Sequence, residues 1–158
     1  MTGPLAILTP SEFDRVRVQA EAEYPAECCG VVMVREGAPP ERLLIVCRNV
    51  QQELHTKDPV RYPRDARTAY FIDPKDLLVI GRREAEGYRV ATIYHSHIDT
   101  GAYLSDTDRR NALIEGDPAY PDATYVVVSV VAGRLGATAA FRWDAERRDF
   151  AAIDGPMS

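Results

Sequence analysis

A chain of 158 residues, 46% of them hydrophobic, is long enough to bury one substantial core, so a single domain over residues 1–158 is expected. A formal net charge of −5 argues against a nucleic-acid partner, whose phosphates want a dense basic surface. No apolar stretch approaches a membrane span and Met1-Thr2-Gly3-Pro4 lacks the regions of a signal peptide, so the expectation is a cytoplasmic protein with no membrane partner. Cys28 and Cys29 are adjacent and Cys47 is isolated, which suits neither a disulfide framework nor a structural zinc site; reduced cysteines packed in strands are expected.

In chain order, Thr9-Pro10-Ser11-Glu12 predicts a helix start with a Thr cap, Pro at the first helical position and Glu at the third; Tyr24-Pro25 should end that helix. Cys29 to Val34 and Leu43 to Val46 read as a hairpin across Glu36-Gly37-Ala38-Pro39-Pro40. From Gln51 to Arg67 there is no apolar period, and a long loop is expected. Thr68 to Ile72 reads as a third strand. Asp73-Pro74 then caps a helix with Leu77, Leu78 and Ile80 facing inward, stopping near Gly87.

Val90 to His97 is apolar at most positions and reads as a central strand covered by helices. A helix from Ser105 to about Glu115, closed by Gly116, should follow. Tyr125 to Val131, Gly136 to Trp143 and Phe150 to Ile153 complete the strands. The sum is a mixed α/β sandwich in which one sheet carries helices on both sides. Arginines gather at Arg61, Arg64 and Arg67 and at Arg109-Arg110, either as solvated charge or as a docking patch for a partner.

The strongest chemical signal lies at the end of the central strand. His95 and His97 are two apart, so an extended strand sends both imidazoles from one face and Ser96 from the other. After seven intervening residues, Ser105-x-x-Asp108 has the form of a capping box. Alone, His-x-His is an ordinary solvated strand end and Ser-x-x-Asp an ordinary helix cap. Together they hold two of the chain's three histidines, and His95, His97 and Asp108 would fill three positions of a tetrahedral Zn²⁺, leaving the fourth open as in catalytic sites.

This run resembles the signature of the JAMM (MPN-plus) metalloprotease family. In small bacterial members an upstream glutamate commonly sits in a Tyr-Pro-x-Glu-x-Cys-Gly segment, which Tyr24-Pro25-Ala26-Glu27-Cys28-Cys29-Gly30 matches. The resemblance runs from about Glu12 to Trp143. Ile98 stands where the family usually has proline, a change in loop stiffness rather than in ligation. What the resemblance implies is a three-layer, cytidine-deaminase-like sandwich of the JAMM/MPN type with one zinc per chain. It also implies that Glu27 passes a proton from water to the leaving amine. Ser105 is the candidate donor to the developing oxyanion, with helix capping an equally physical role.

Asp99 and Asp106 lie nearby without a spacing that recommends either as a ligand, and His55 reads as a surface or substrate-side histidine. Zinc deaminases need His-x-Glu followed by Pro-Cys-x-x-Cys, which does not occur here. By resemblance the expected reaction is zinc-dependent hydrolysis after the C-terminal Gly-Gly of a ubiquitin-like or sulfur-carrier protein, with the 51–67 loop folding over the tail. The alternative is an inactive scaffold of the same fold.

Overall fold

A computed structural model describes residues 5–155, which leaves the Met1 to Pro4 segment read above outside the described residues. Six strands form one mixed sheet in the order β2 (Glu41–Cys47), β1 (Cys29–Arg35), β3 (Arg89–Ile98), β6 (Thr124–Val131), β7 (Arg134–Asp144) and β8 (Asp149–Ile153). The β1–β2 hairpin is present with Cys29 opposite Cys47 and Arg35 opposite Glu41. β3 is central, antiparallel to β1 and parallel to β6. Both of its faces are therefore covered, and it is buried almost throughout, as its apolar run predicts.

Helix α1 (Pro10–Glu23) starts where the sequence places it. The Thr9 N–H donates to Glu12 Oε1 at 2.9 Å and the Glu12 N–H donates to Thr9 Oγ1 at 3.2 Å, closing the capping box. Val16 and Ala20 of α1 pack with Leu8 on Val32, Val34, Tyr94, Val126, Val128 and Val130, one face of the sheet. A polar latch holds the helix there: the Tyr94 hydroxyl donates to Gln19 Oε1 at 2.6 Å, and Gln19 Nε2 donates to the Cys29 carbonyl at 2.9 Å. Tyr94 reaches Gln19 across Gly30, where an added Cβ would lie 2.1 Å from the tyrosine oxygen. The glycine after Cys28-Cys29 is thus required by packing.

The opposite face is built from Val31, Met33, Ile93, Tyr125 and Val127, covered by Ile80 of α3 (Pro74–Ala85), by Leu104, and by Ala112 beyond α4 (Asp106–Asn111). Helices on both faces of one mixed sheet give the three-layer sandwich. Asp73 caps α3 by accepting the Lys75 N–H at 2.9 Å. Only Ile80 of the expected apolar trio turns fully inward; Leu77 and Leu78 are 44% and 64% exposed, because α3 meets the sheet along a narrow stripe.

Three further expectations are corrected. The 51–67 segment opens with a short helix, α2 (Gln51–Lys57), hidden in the sequence because Val50 provides no side-chain cap and Leu54 is its one large apolar residue. Thr68 to Ile72 is not a strand beyond a single bridge of Ile72 to Asn49. The Asn49 side chain takes its place, accepting the Phe71 N–H at 3.0 Å and donating to the Ala69 carbonyl at 3.3 Å. The helix after Ser105 stops at Asn111, and Glu115-Gly116, both at positive φ, turn a small hairpin between β4 (Leu113–Ile114) and β5 (Asp117–Pro118). Gly116 serves that turn rather than a helix end. No helix among the described residues is long and apolar enough to cross a membrane, and Cys28, Cys29 and Cys47 are free and buried.

Candidate metal centre

His95 and His97 leave the end of β3 on the face carrying Ile93, while Ser96 points the other way. The Cys28 N–H donates to Ser96 Oγ at 2.7 Å and the Ser96 N–H donates to the Cys28 carbonyl at 3.1 Å. These bonds pin the start of β1 beside the histidines, with Cys29 opposite His95. Asp108 arrives from α4: its N–H donates to Ser105 Oγ at 3.0 Å, and the Ser105 N–H donates to Asp108 Oδ2 at 3.0 Å. The same capping box that starts the helix aims the carboxylate at the imidazoles.

Asp108 Oδ2 lies 3.1 Å from His95 Nε2 and 3.1 Å from His97 Nε2, and one ligand atom from each of the three lies within 4.8 Å of the others. His97 Nδ1 is 3.1 Å from the Gly101 carbonyl, which only accepts, so the ring hydrogen belongs on Nδ1. With Nδ1 so occupied, Nε2 can meet the Asp108 carboxylate only through a hydrogen or a cation held between them. Two imidazole nitrogens and a carboxylate oxygen fit a divalent transition metal. Tyr70 stacks on His95 with ring centres 4.6 Å apart, and Tyr103 meets His97 edge-on at 4.7 Å, so neither ring is free to swing. Burial opposes ionisation of Asp108, but hydrogen bonds to His95 and His97 and the Ser105 N–H hold it well below the usual carboxylate range.

Glu27 precedes β1, its backbone fixed by its N–H to the Ala66 carbonyl at 2.7 Å and by Asn49 Nδ2 on its own carbonyl at 2.8 Å. The side chain is 4% exposed and Oε1 has no hydrogen-bond partner, an open acceptor inside the protein. Burial, then the Asp108 charge, push its carboxyl from 4.5 to about 9, against a lowering pull from Arg64.

In chelated protein the native state therefore keeps a proton that the unfolded chain releases above pH 4.5, so stability falls as pH rises between about 4.5 and 9. The opposite effect of Asp108, whose folded value is depressed, is lost only as pH falls below the ordinary carboxylate range. Chelated Glu27→Gln should melt roughly 5 °C or more above chelated wild type at pH 8 and together with it at pH 5. Scanning calorimetry at the two pH values checks this; a constant gap would remove Glu27 as its source.

The other residues read from the sequence separate. His55 Nδ1 lies 2.8 Å from the Tyr62 carbonyl, tying α2 to the following loop, and is no member of the cluster. Asp106 is an exposed first-turn residue of α4. Asp99 links three segments, accepting from the Tyr24 hydroxyl at 2.8 Å, from Arg67 Nη2 at 2.8 Å and from the Ala132 N–H at 2.9 Å. Tyr70, which the sequence offered only as a strand residue, stands against His95, and Arg64, read either as solvated charge or as part of a docking patch, stands within the field of Glu27.

Solved structures of two bacterial proteins share this architecture. One, from Desulfitobacterium hafniense, superposes with a TM-score of 0.64 at 18% identity, and the other, from Salinibacter ruber, with 0.59 at 26%; each match covers 93% of this chain and 88% of the other. The CysO-cysteine peptidases of Mycobacterium tuberculosis and Mycobacterium bovis are each 33% identical over 112 residues, or 70% of this chain, which spans 63% of their length. The family model described as prokaryotic homologs of the JAB domain matches residues 9–146, most of the chain: the chain belongs to that JAB/MPN family.

Proposed function

We propose that the protein is a cytoplasmic zinc-dependent peptidase, with one domain spanning the chain, that hydrolyses the bond after the C-terminal Gly-Gly of a ubiquitin-like or sulfur-carrier protein. The observation that carries this reading is the juxtaposition of three convergent ligand atoms with a buried, unpartnered glutamate oxygen. The relatives support it, being named for a peptidase activity on a CysO–cysteine linkage. Zinc held by His95, His97 and Asp108 would supply a Lewis acid that activates water near neutral pH and polarises the scissile carbonyl.

The protein's own groups do the rest. Glu27, buried with a free oxygen and within the field of Asp108, takes a proton from the attacking water and returns it to the leaving nitrogen. Burial, and then the Asp108 charge, favour the protonated form of Glu27, so positive charge placed beside Asp108 would shift it toward the base form. Ser105 does both of its candidate jobs: Oγ accepts the Asp108 N–H, and its hydroxyl hydrogen stays free to donate to the oxyanion. A folded substrate cannot enter such a recess, so an extended tail with small residues before the scissile bond is required, and Gly-Gly lets the backbone come closest.

Mass spectrometry of a sulfur carrier ending in Gly-Gly-x, beside one ending in Ala-Val-x, tests the proposal. Zinc-loaded protein should release x from the first only. Equal cleavage of both, or of neither, overturns it, and the second outcome favours an inactive scaffold.

A further inference from the structure

Beside the cluster, a cavity of about 530 Å³ is walled by Tyr62, Tyr70, Phe71, Ile72, Leu77 and Tyr120 and fringed by Arg61, Arg64 and Arg110. Tyr70 is the ring stacked on His95, so this cavity shares a wall with the candidate centre. A second recess, which includes Ser105 and Tyr103, also has Arg64 and Arg110 in its lining. The two arginines thus stand where the aromatic cavity meets the recess holding the proposed oxyanion donor.

Neither of the two sits in an ion pair among the described residues, although Arg64 lies within the field of Glu27. Most other arginines of the chain face carboxylates, such as Arg67 on Asp99 at 2.8 Å and Arg109 on Asp149 at 2.5 Å. Among the described residues, Arg64 and Arg110 form no ion pair: Arg110 Nη2 reaches only Thr107 Oγ1 at 3.3 Å, and Arg61 lies over the Tyr62 ring. No carboxylate lines the aromatic cavity, and Asp106 in the second recess pairs with neither arginine. On a chain of net charge −5, this is a local concentration of positive charge outside any ion pair.

We propose that Arg64 and Arg110 bind the free carboxylate of the residue being cleaved off, and that the aromatic cavity holds its apolar side chain. The substrate is then a Gly-Gly tail extended by a single amino acid with a free carboxylate, not a Gly-Gly tail joined to a lysine within another protein. This rests on the peptidase reading above and names its leaving group. Water adds its oxygen to the glycine carbonyl carbon, the C–N bond breaks, and Glu27 carries the water's proton to the departing nitrogen. The freed amino acid leaves with its carboxylate still facing the arginines. A planar guanidinium fork suits a carboxylate better than an ammonium does, so Lys at either position should not substitute fully.

The probes are N-acetyl-Gly-Gly-Leu as the free acid and as its C-terminal amide. Titrated by NMR into the chelated full chain, the acid should bind roughly tenfold or more tighter than the amide. Arg64→Gln/Arg110→Gln should erase that preference and leave amide binding unchanged; both arginines are solvent-exposed, so the variant should fold. Equal binding of acid and amide by wild type, or a preference that survives in the variant, overturns the proposal. The two readings part in the zinc-loaded protein. Equal kcat/KM on acid and amide overturns the carboxylate clamp while the peptidase stands. Cleavage of neither, with the binding preference intact, overturns the peptidase while the carboxylate site stands.

Discussion

Glu27→Gln should bind zinc as wild type does and lose hydrolysis of a Gly-Gly-x carrier by at least about 10²-fold, the loss expected on removing a positioned proton carrier. Metal content and turnover, measured on one preparation, are the two readouts. They separate because Glu27 stands outside the cluster whose ligand atoms lie within 4.8 Å of one another. The amide keeps the shape of the carboxyl and its backbone anchors to Ala66 and Asn49, but it cannot accept a proton at pH 7. kcat should fall and KM stay close to its wild-type value, since the missing interaction is made only as bonds change. Loss of zinc from this variant would instead make Glu27 a ligand. The variant should also be the more stable protein when chelated at pH 8, so activity and stability are expected to move in opposite directions.

How far the site was legible from sequence follows from how local each part is. His-x-His is read directly, because strand alternation alone puts both rings on one face, and Ser-x-x-Asp is read as a capping box because N-cap and N3 meet within one turn. That His95, His97 and Asp108 meet depends on how the 99–104 loop returns, which no periodicity encodes. Glu27 lies further out of reach: it comes to the cluster through the pairing of β1 with β3, and only the resemblance of Tyr24 to Gly30 to a family segment pointed to it. Tyr70 was not legible as a site residue, and Arg64 was legible only as one of a group of arginines open to a docking role. The chain from Asp58 to Ile72 is shaped by side chains bonding to backbone, with Asn49 on Ala69 and Phe71 and Gln51 on the Arg64 carbonyl, rather than by a hydrophobic repeat. The misplacement of Leu77 has a related origin: helical spacing turned it inward, but the void beside α3 is the aromatic cavity itself.

The largest effects should follow removal of the ligands. Protein purified with zinc should hold about one ion per chain, and His95→Ala, His97→Ala or Asp108→Asn should each leave little after dialysis, since two remaining side chains hold Zn²⁺ poorly. Asp108→Asn is the cleanest of the three because Asp108 has two duties. Its backbone N–H still donates to Ser105 Oγ, and the amide oxygen can still accept the Ser105 N–H, so the α4 cap survives while the negative ligand is lost. Metal that binds only the folded state adds stability that grows with its concentration over Kd, about 4 kcal/mol at a thousandfold excess. Chelation should then lower the Tm of wild type by roughly 10 °C and that of Asp108→Asn hardly at all. A His95→Ala/His97→Ala double variant that kept a full complement of zinc would place the metal elsewhere, and with it the proton path through Glu27.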